Sequence, residues 1–159
     1  MFEVNYEIRP SWFEGTVAPS IHKGTVRRSF DELEFQRFDL KPSEFIPISR
    51  GLDRLHGQEF ADAYMLNALL ENIDRIPEDY RRSWTEGRVH IFFPGTRFAS
   101  SYQKSIMERK GNKDEERKVT VNVEKIASLF FVGQRVMRGM YETGVNFDEG
   151  CRVVLLRPA

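Results

Sequence analysis

The sequence is short of cysteine, of long apolar runs and of charge of one sign. Cys151 is its only cysteine, so an internal disulfide framework is excluded, and a lone thiol suits a reducing compartment. No apolar stretch approaches the ~18 residues that a membrane-crossing helix needs. The longest, such as Val153–Leu156, run to about four residues. The N-terminus alternates charged and apolar residues and has neither the basic start nor the apolar middle of a signal peptide. No membrane association and a cytoplasmic location are therefore expected. Lys plus Arg is 24 and Asp plus Glu is 24, for a formal net charge of +0. That excludes the dominant long-range field of a basic nucleic-acid coat or an acidic nucleic-acid mimic.

Cofactor motifs are missing as well. Glycines 133, 139, 144 and 150 never approach the spacing of a phosphate-cradling loop. His22, His56, His90 and Cys151 are scattered, none at the spacing of a helical metal pair or a knuckle, so no metal and no cofactor are expected. Cys151 opens an apolar strand, away from the helix N-terminus or cation that activates a thiolate, and reads as a small buried hydrophobe.

What is present is a globular composition, 40% hydrophobic and 30% charged, in 159 residues. This suits one domain spanning residues 1–159. Phe2, Val4, Tyr6 and Ile8 alternate with polar residues, predicting a half-buried strand ended by Pro10. Residues 11–24 read as loop, with a short extended piece at Thr16–Ala18. Ser29 and Glu32 have the form of a capping box, yet Leu33 and Phe35 alternate with polar neighbours, and extended structure is preferred for Thr25–Leu40. Lys41–Pro47, with two prolines, reads as a connector.

Gln58–Ile76 is predicted as a helix from the stripe Ala61, Met65, Leu69, Ile73 and Ile76, stopped by Pro77. A strand follows at Arg88–Phe93 and a turn at Pro94-Gly95-Thr96. Arg97–Arg109 and Glu116–Val123 predict a hairpin with its tip at Lys110-Gly111-Asn112-Lys113. A second helix is predicted over Val123–Glu142, its buried stripe running through Ile126, Phe130, Gly133, Met137 and Met140. Gly133 would there allow a close helix approach. The continuous run Val153–Leu156 predicts a central last strand. The resulting fold class is α+β: a largely antiparallel sheet with two main helices packed on one side.

Three groups of residues carry candidate chemistry. Asp53, His56 and Glu59 lie within seven residues at the expected start of the first helix. A histidine held by a carboxylate is a general-base device, and a helix N-terminus favours anions. Arg50 or Arg54 would clamp an anion there, and His90 on its strand is an alternative base. Phe98 and Tyr102 lie beside the cations of the hairpin, Lys110 and Lys113 among them, as a stacking platform for single-stranded nucleic acid requires. The base excess is small, seven against five acids between Ser101 and Lys125. Finally, Trp12, Phe13, Phe30, Phe35, Phe38 and Phe45 crowd the first third, more rings than one small core demands. They suggest an oligomer or partner surface, with Trp12 and Phe13 foremost. The leading expectation is a protein that acts by noncovalent association, as a homodimer or on another protein. The alternatives are a metal-independent enzyme for a small molecule or nucleotide, with His56 or His90 as base, and single-stranded nucleic-acid binding through the 97–118 hairpin.

Overall fold

Alternating burial of Phe2 and Val4 makes the first strand, β1 (Phe2–Asn5). It pairs with β3 (Thr25–Arg28) in a separate two-stranded sheet, and β2 (Thr16–Val17) lies between them in sequence. The computed structural model describes residues 1–38, 40–41, 43–76, 90–132, 135–147 and 151–158. After a 3₁₀ turn at Phe30–Glu32 come β4 (Leu33–Arg37), α1 (Ile48–Asp53), β5 (Glu59–Phe60) and α2 (Ala63–Glu71). The remaining strands are β6 (Ile91–Lys110), β7 (Lys113–Val132), β8 (Arg135–Glu142) and β9 (Arg152–Leu156). The main sheet runs β4-β9-β6-β7-β8, with β2 beside β6 and β5 beside β9. The 29–32 capping box is real: Ser29 Oγ accepts from Asp31 N and Glu32 accepts from Ser29 N, both at 3.3 Å.

The fold class differs from the α+β reading. The chain is 52% strand and 15% helix, a curled seven-stranded sheet with two short helices. The helix expected over 123–142 does not form: its described residues are the second half of β7 and all of β8, paired antiparallel from Lys125↔Glu142 to Val132↔Arg135. The physical reason is burial on both faces. Ile126, Ala127, Ser128 and Leu129 are consecutively buried, so alternation disappears and the apolar spacing mimics a helix. β-branched and aromatic residues favour strand over helix. The Gln58–Ile76 reading resolves into β5, α2 and a 3₁₀ turn at Ile73–Arg75. Pro77, Arg88, Val89, Gly133 and Gly150 lie outside the described residues.

Nor do the helices share a side. On one face Met65, Leu66 and Leu69 of α2 cluster with Phe93, Leu129 and Val154. On the other, Ile48 and Leu52 of α1 cluster with Phe92, Ile126 and Val153. Adjacent residues of β9 thus serve opposite cores, which confirms the central, doubly buried last strand read from its apolar run. Gly51 is required in α1, because a Cβ there would overlap the Phe147 ring, itself stacked on Phe38 at 4.5 Å.

Pro94-Gly95-Thr96 is a bulge inside β6 and not a turn. The register jumps from Phe93↔Ala127 to Phe98↔Lys125. Proline is tolerated at such a break because no ladder hydrogen bond needs its missing N–H. The bulge grips the segment entering α2: Gly95 N donates to Ala61 O at 2.9 Å and Ala63 N to Thr96 Oγ1 at 3.0 Å. A Cβ on Gly95 would lie 2.6 Å from Phe60 O. Beyond Ala99, β6 pairs with β7 alone among the described residues.

Candidate functional site

The structure separates the first predicted constellation. Asp53 closes α1 and is exposed, and His56 is exposed in the following turn. Glu59 lies in β5, with Oε1 3.3 Å from His22 Nε2. The helix N-terminus expected beside these residues forms after Asp62 instead. Arg50 is exposed. Arg54 reaches Glu44 Oε1 at 2.6 Å. The Lys41 amide and then Arg54 hold the Glu44 carboxyl below its usual range. His90 precedes β6 with Nε2 3.1 Å from Tyr141 Oη, its ring 5.0 Å from that of Phe130. Cys151 is buried, as its strand position implied.

The titratable groups that do converge line a cleft of about 400 Å3 between the loop after β2, β5, the start of α2 and the β6 bulge. Its walls include His22, Glu59, Asp62, Tyr64, Thr96 and Arg97. Asp62 caps α2, accepting from Met65 N at 2.9 Å, and also accepts from Tyr6 Oη at 3.1 Å. Burial lifts the Asp62 carboxyl above its usual range; the Met65 amide and the Tyr6 hydroxyl only partly offset this. Burial and then the Asp62 charge push the Tyr6 hydroxyl up as well. His22 Nε2 is shared: Glu59 faces it at 3.3 Å, and Arg28 Nη2 lies 3.4 Å away. Among the described residues, no group of three His, Cys, Asp or Glu side chains could hold a metal. Sequence reasoning weighs His22 only as a metal ligand, because it sits in an unpatterned loop far from Glu59 and Asp62 in the chain. The one legible signal was Asp62 before an apolar helical run.

The second site is an arm. The predicted hairpin is present and longer than read, with pairing unbroken from Phe98↔Lys125 to Lys110↔Lys113. Gly111 has φ +63° while Asn112 does not have positive φ, the pattern of a two-residue type II′ turn. Residues 100–110 advance about 33 Å at a strand rise of about 3.3 Å per residue. One face presents the pairs Ser100–Val123, Tyr102–Val121, Lys104–Val119, Ile106–Arg117, Glu108–Glu115 and Lys110–Lys113. The other carries Ser101, Gln103, Ser105, Asn122, Thr120 and Lys118, with Met107 its one large apolar side chain. The arm is therefore two-faced. Its apolar face continues the side of the sheet on which Phe98 joins the α2 core, but no helix or further strand among the described residues packs on it. Tyr102 is 49% exposed. On the same face Arg117 Nη1 lies 3.7 Å from Glu108, and Lys110 Nζ 3.7 Å from Glu115.

Of the expected binding aromatics, Phe98 is 1% exposed and packs edge-on against Phe13 at 5.0 Å. Phe13 is buried; Trp12 is partly buried, donates to Asn67 Oδ1 at 2.8 Å and lies under Arg138. The core thus absorbs these rings, along with Phe30 and Phe38, while Phe45 is exposed. Lys110 and Lys113 flank the arm's tip. No family model matches the sequence, and neither curated proteins nor solved structures give a match to it.

Proposed function

We propose that the protein acts by noncovalent association, docking the apolar face of the β6–β7 arm on a protein surface. The observation that carries this reading is the apolar strip Tyr102, Ile106, Val119, Val121 and Val123, exposed at Tyr102 and half-buried at the other four, on a ribbon that no third strand among the described residues supports. A lone two-stranded hairpin is marginally stable in water, so a ribbon of this length gains order when a partner covers it. The zero net charge fits a surface that works by burial and local pairing. Nucleic acid is the weaker partner. Phe98 is unavailable for stacking, and two of the arm's cations already face carboxylates.

The test is native mass spectrometry of the full chain beside a variant in which Gly-Asn replaces residues 101–122. That variant closes the hairpin at Ser100–Val123, a pair of the same parity as Lys110–Lys113, and leaves both cores intact. Full-length particles heavier than one chain that fall to one chain in the variant are expected. Equal masses for the two would contradict the reading.

A further inference from the structure

We infer that the partner of the arm is a second copy of this chain, the two arms lying face to face and antiparallel across a two-fold axis at the Ile106–Arg117 pair. This rests on the proposed association through the same face and adds the partner and its register. The argument is the order of charges along the arm. From base to tip the face runs through an apolar stretch with Lys104, then Arg117, then the carboxylates Glu108 and Glu115, then Lys110 and Lys113.

Two-fold packing of two ribbons allows two directions. A two-fold along the arm lays β6 of one copy over β7 of the other at equal height. Glu108 then meets Glu115 and Lys110 meets Lys113, like charges in a water-excluded layer, which penalises that arrangement strongly. A two-fold across the arm at Ile106–Arg117 lays β6 over β6 in the opposite direction. Lys104 then meets Glu108 of the second copy, twice by symmetry. Lys110 of each copy reaches the Tyr102 ring of the other, a cation over an aromatic face. The Ile106 side chains meet on the axis. Across β7 the Arg117 side chains also meet on the axis, each held by the Glu108 of its own chain, while Val119 and Val121 lie against the aliphatic stems of Glu115 and Lys113 of the second copy.

Within one chain Lys104 has no ion-pair partner among the described residues, although its neighbours toward the tip do. The antiparallel register supplies one. Isologous contact also closes at two copies, so no filament grows.

The experiment combines a charge swap with cross-linking. Lys104→Glu and Glu108→Lys should each weaken association about tenfold or more, read by sedimentation across a dilution series. The double variant Lys104→Glu/Glu108→Lys should recover most of that loss, because the swapped charges meet again between copies. A short bis-maleimide should join Ile106→Cys chains into covalent dimers and leave Asn112→Cys chains single, since antiparallel arms hold their tips apart. Cys151 is buried and serves as the silent background in the unmodified chain. Failure of the double variant to recover, or cross-linking at position 112 in place of 106, would overturn the register. Arm-dependent particles whose mass is not a multiple of the chain mass would overturn the second copy as partner while sparing the association reading. Particles indifferent to the arm would remove both.

Discussion

At the scale of single residues, Asp62 joins the fold to the cleft. Its carboxylate caps α2 and takes the Tyr6 hydroxyl while buried. Burial raises its folded value above the unfolded one, so the folded chain holds this proton more tightly. The resulting stability is fully present below the unfolded value and is lost as pH rises through the folded one. Asparagine caps a helix about as well, so Asp62→Asn should keep the cap and remove the titration. Urea unfolding from about pH 4 upward, where an ordinary aspartate ionises, should show the variant gaining on the parent chain as pH rises. A difference independent of pH would mean Asp62 titrates as if solvated. Gly51 gives a second expectation. Ala at this position must displace Phe147 or Phe38, and overpacking of this kind costs about 1–3 kcal/mol. The denaturation midpoint of Gly51→Ala should fall accordingly, and an unchanged midpoint would deny the close approach.

At the scale of elements, legibility followed solvent. The hairpin tip, the 29–32 capping box and the first half of the expected N-terminal strand were readable because each alternates with water on one side or uses residues whose backbone chemistry is local; the strand stops at Asn5, and Ile8, expected on its buried face, is exposed. β9 was readable from its unbroken apolar run. The same kind of run in β7, joined to the apolar residues of β8, produced a false helical stripe. The doubly covered stretch Ile126–Leu129 carries no period, and only tertiary pairing decides its state. The Pro94-Gly95-Thr96 string was read as local punctuation, whereas its role is to receive residues 60–63 from a distant segment. Of the candidate sites, Tyr102, Lys110 and Lys113 were found on the arm. The His22–Glu59–Asp62 cluster was missed because its members meet only through folding. The arm makes few contacts with either core, so Ile106→Asp with Val121→Asp should shift the global unfolding free energy by no more than about 0.5 kcal/mol. The same pair should abolish the assembly. A large loss of stability in the isolated chain would show that the arm is part of the core and not a docking element.

At the scale of the whole molecule, the sheet is two-sided where it is wide and one-sided where it narrows. In the body, α1 and α2 cover opposite faces. Along the arm, the face continuous with the α2 side keeps its apolar residues, and no helix among the described residues packs on it. Of the aromatic-rich first third the core buries Phe13, Phe30 and Phe38, half-buries Trp12 and Phe35 and leaves Phe45 exposed, while the ribbon beyond Ala99 keeps Tyr102 exposed. The most direct measurement is hydrogen exchange of the backbone amides of residues 100–123, taken at a concentration that assembles the chain and again after dilution. The account predicts protection along the arm at the higher concentration and its loss on dilution, with body amides protected in both. Arm amides that exchange equally fast at every concentration, while the chain sediments as an assembly, would contradict it.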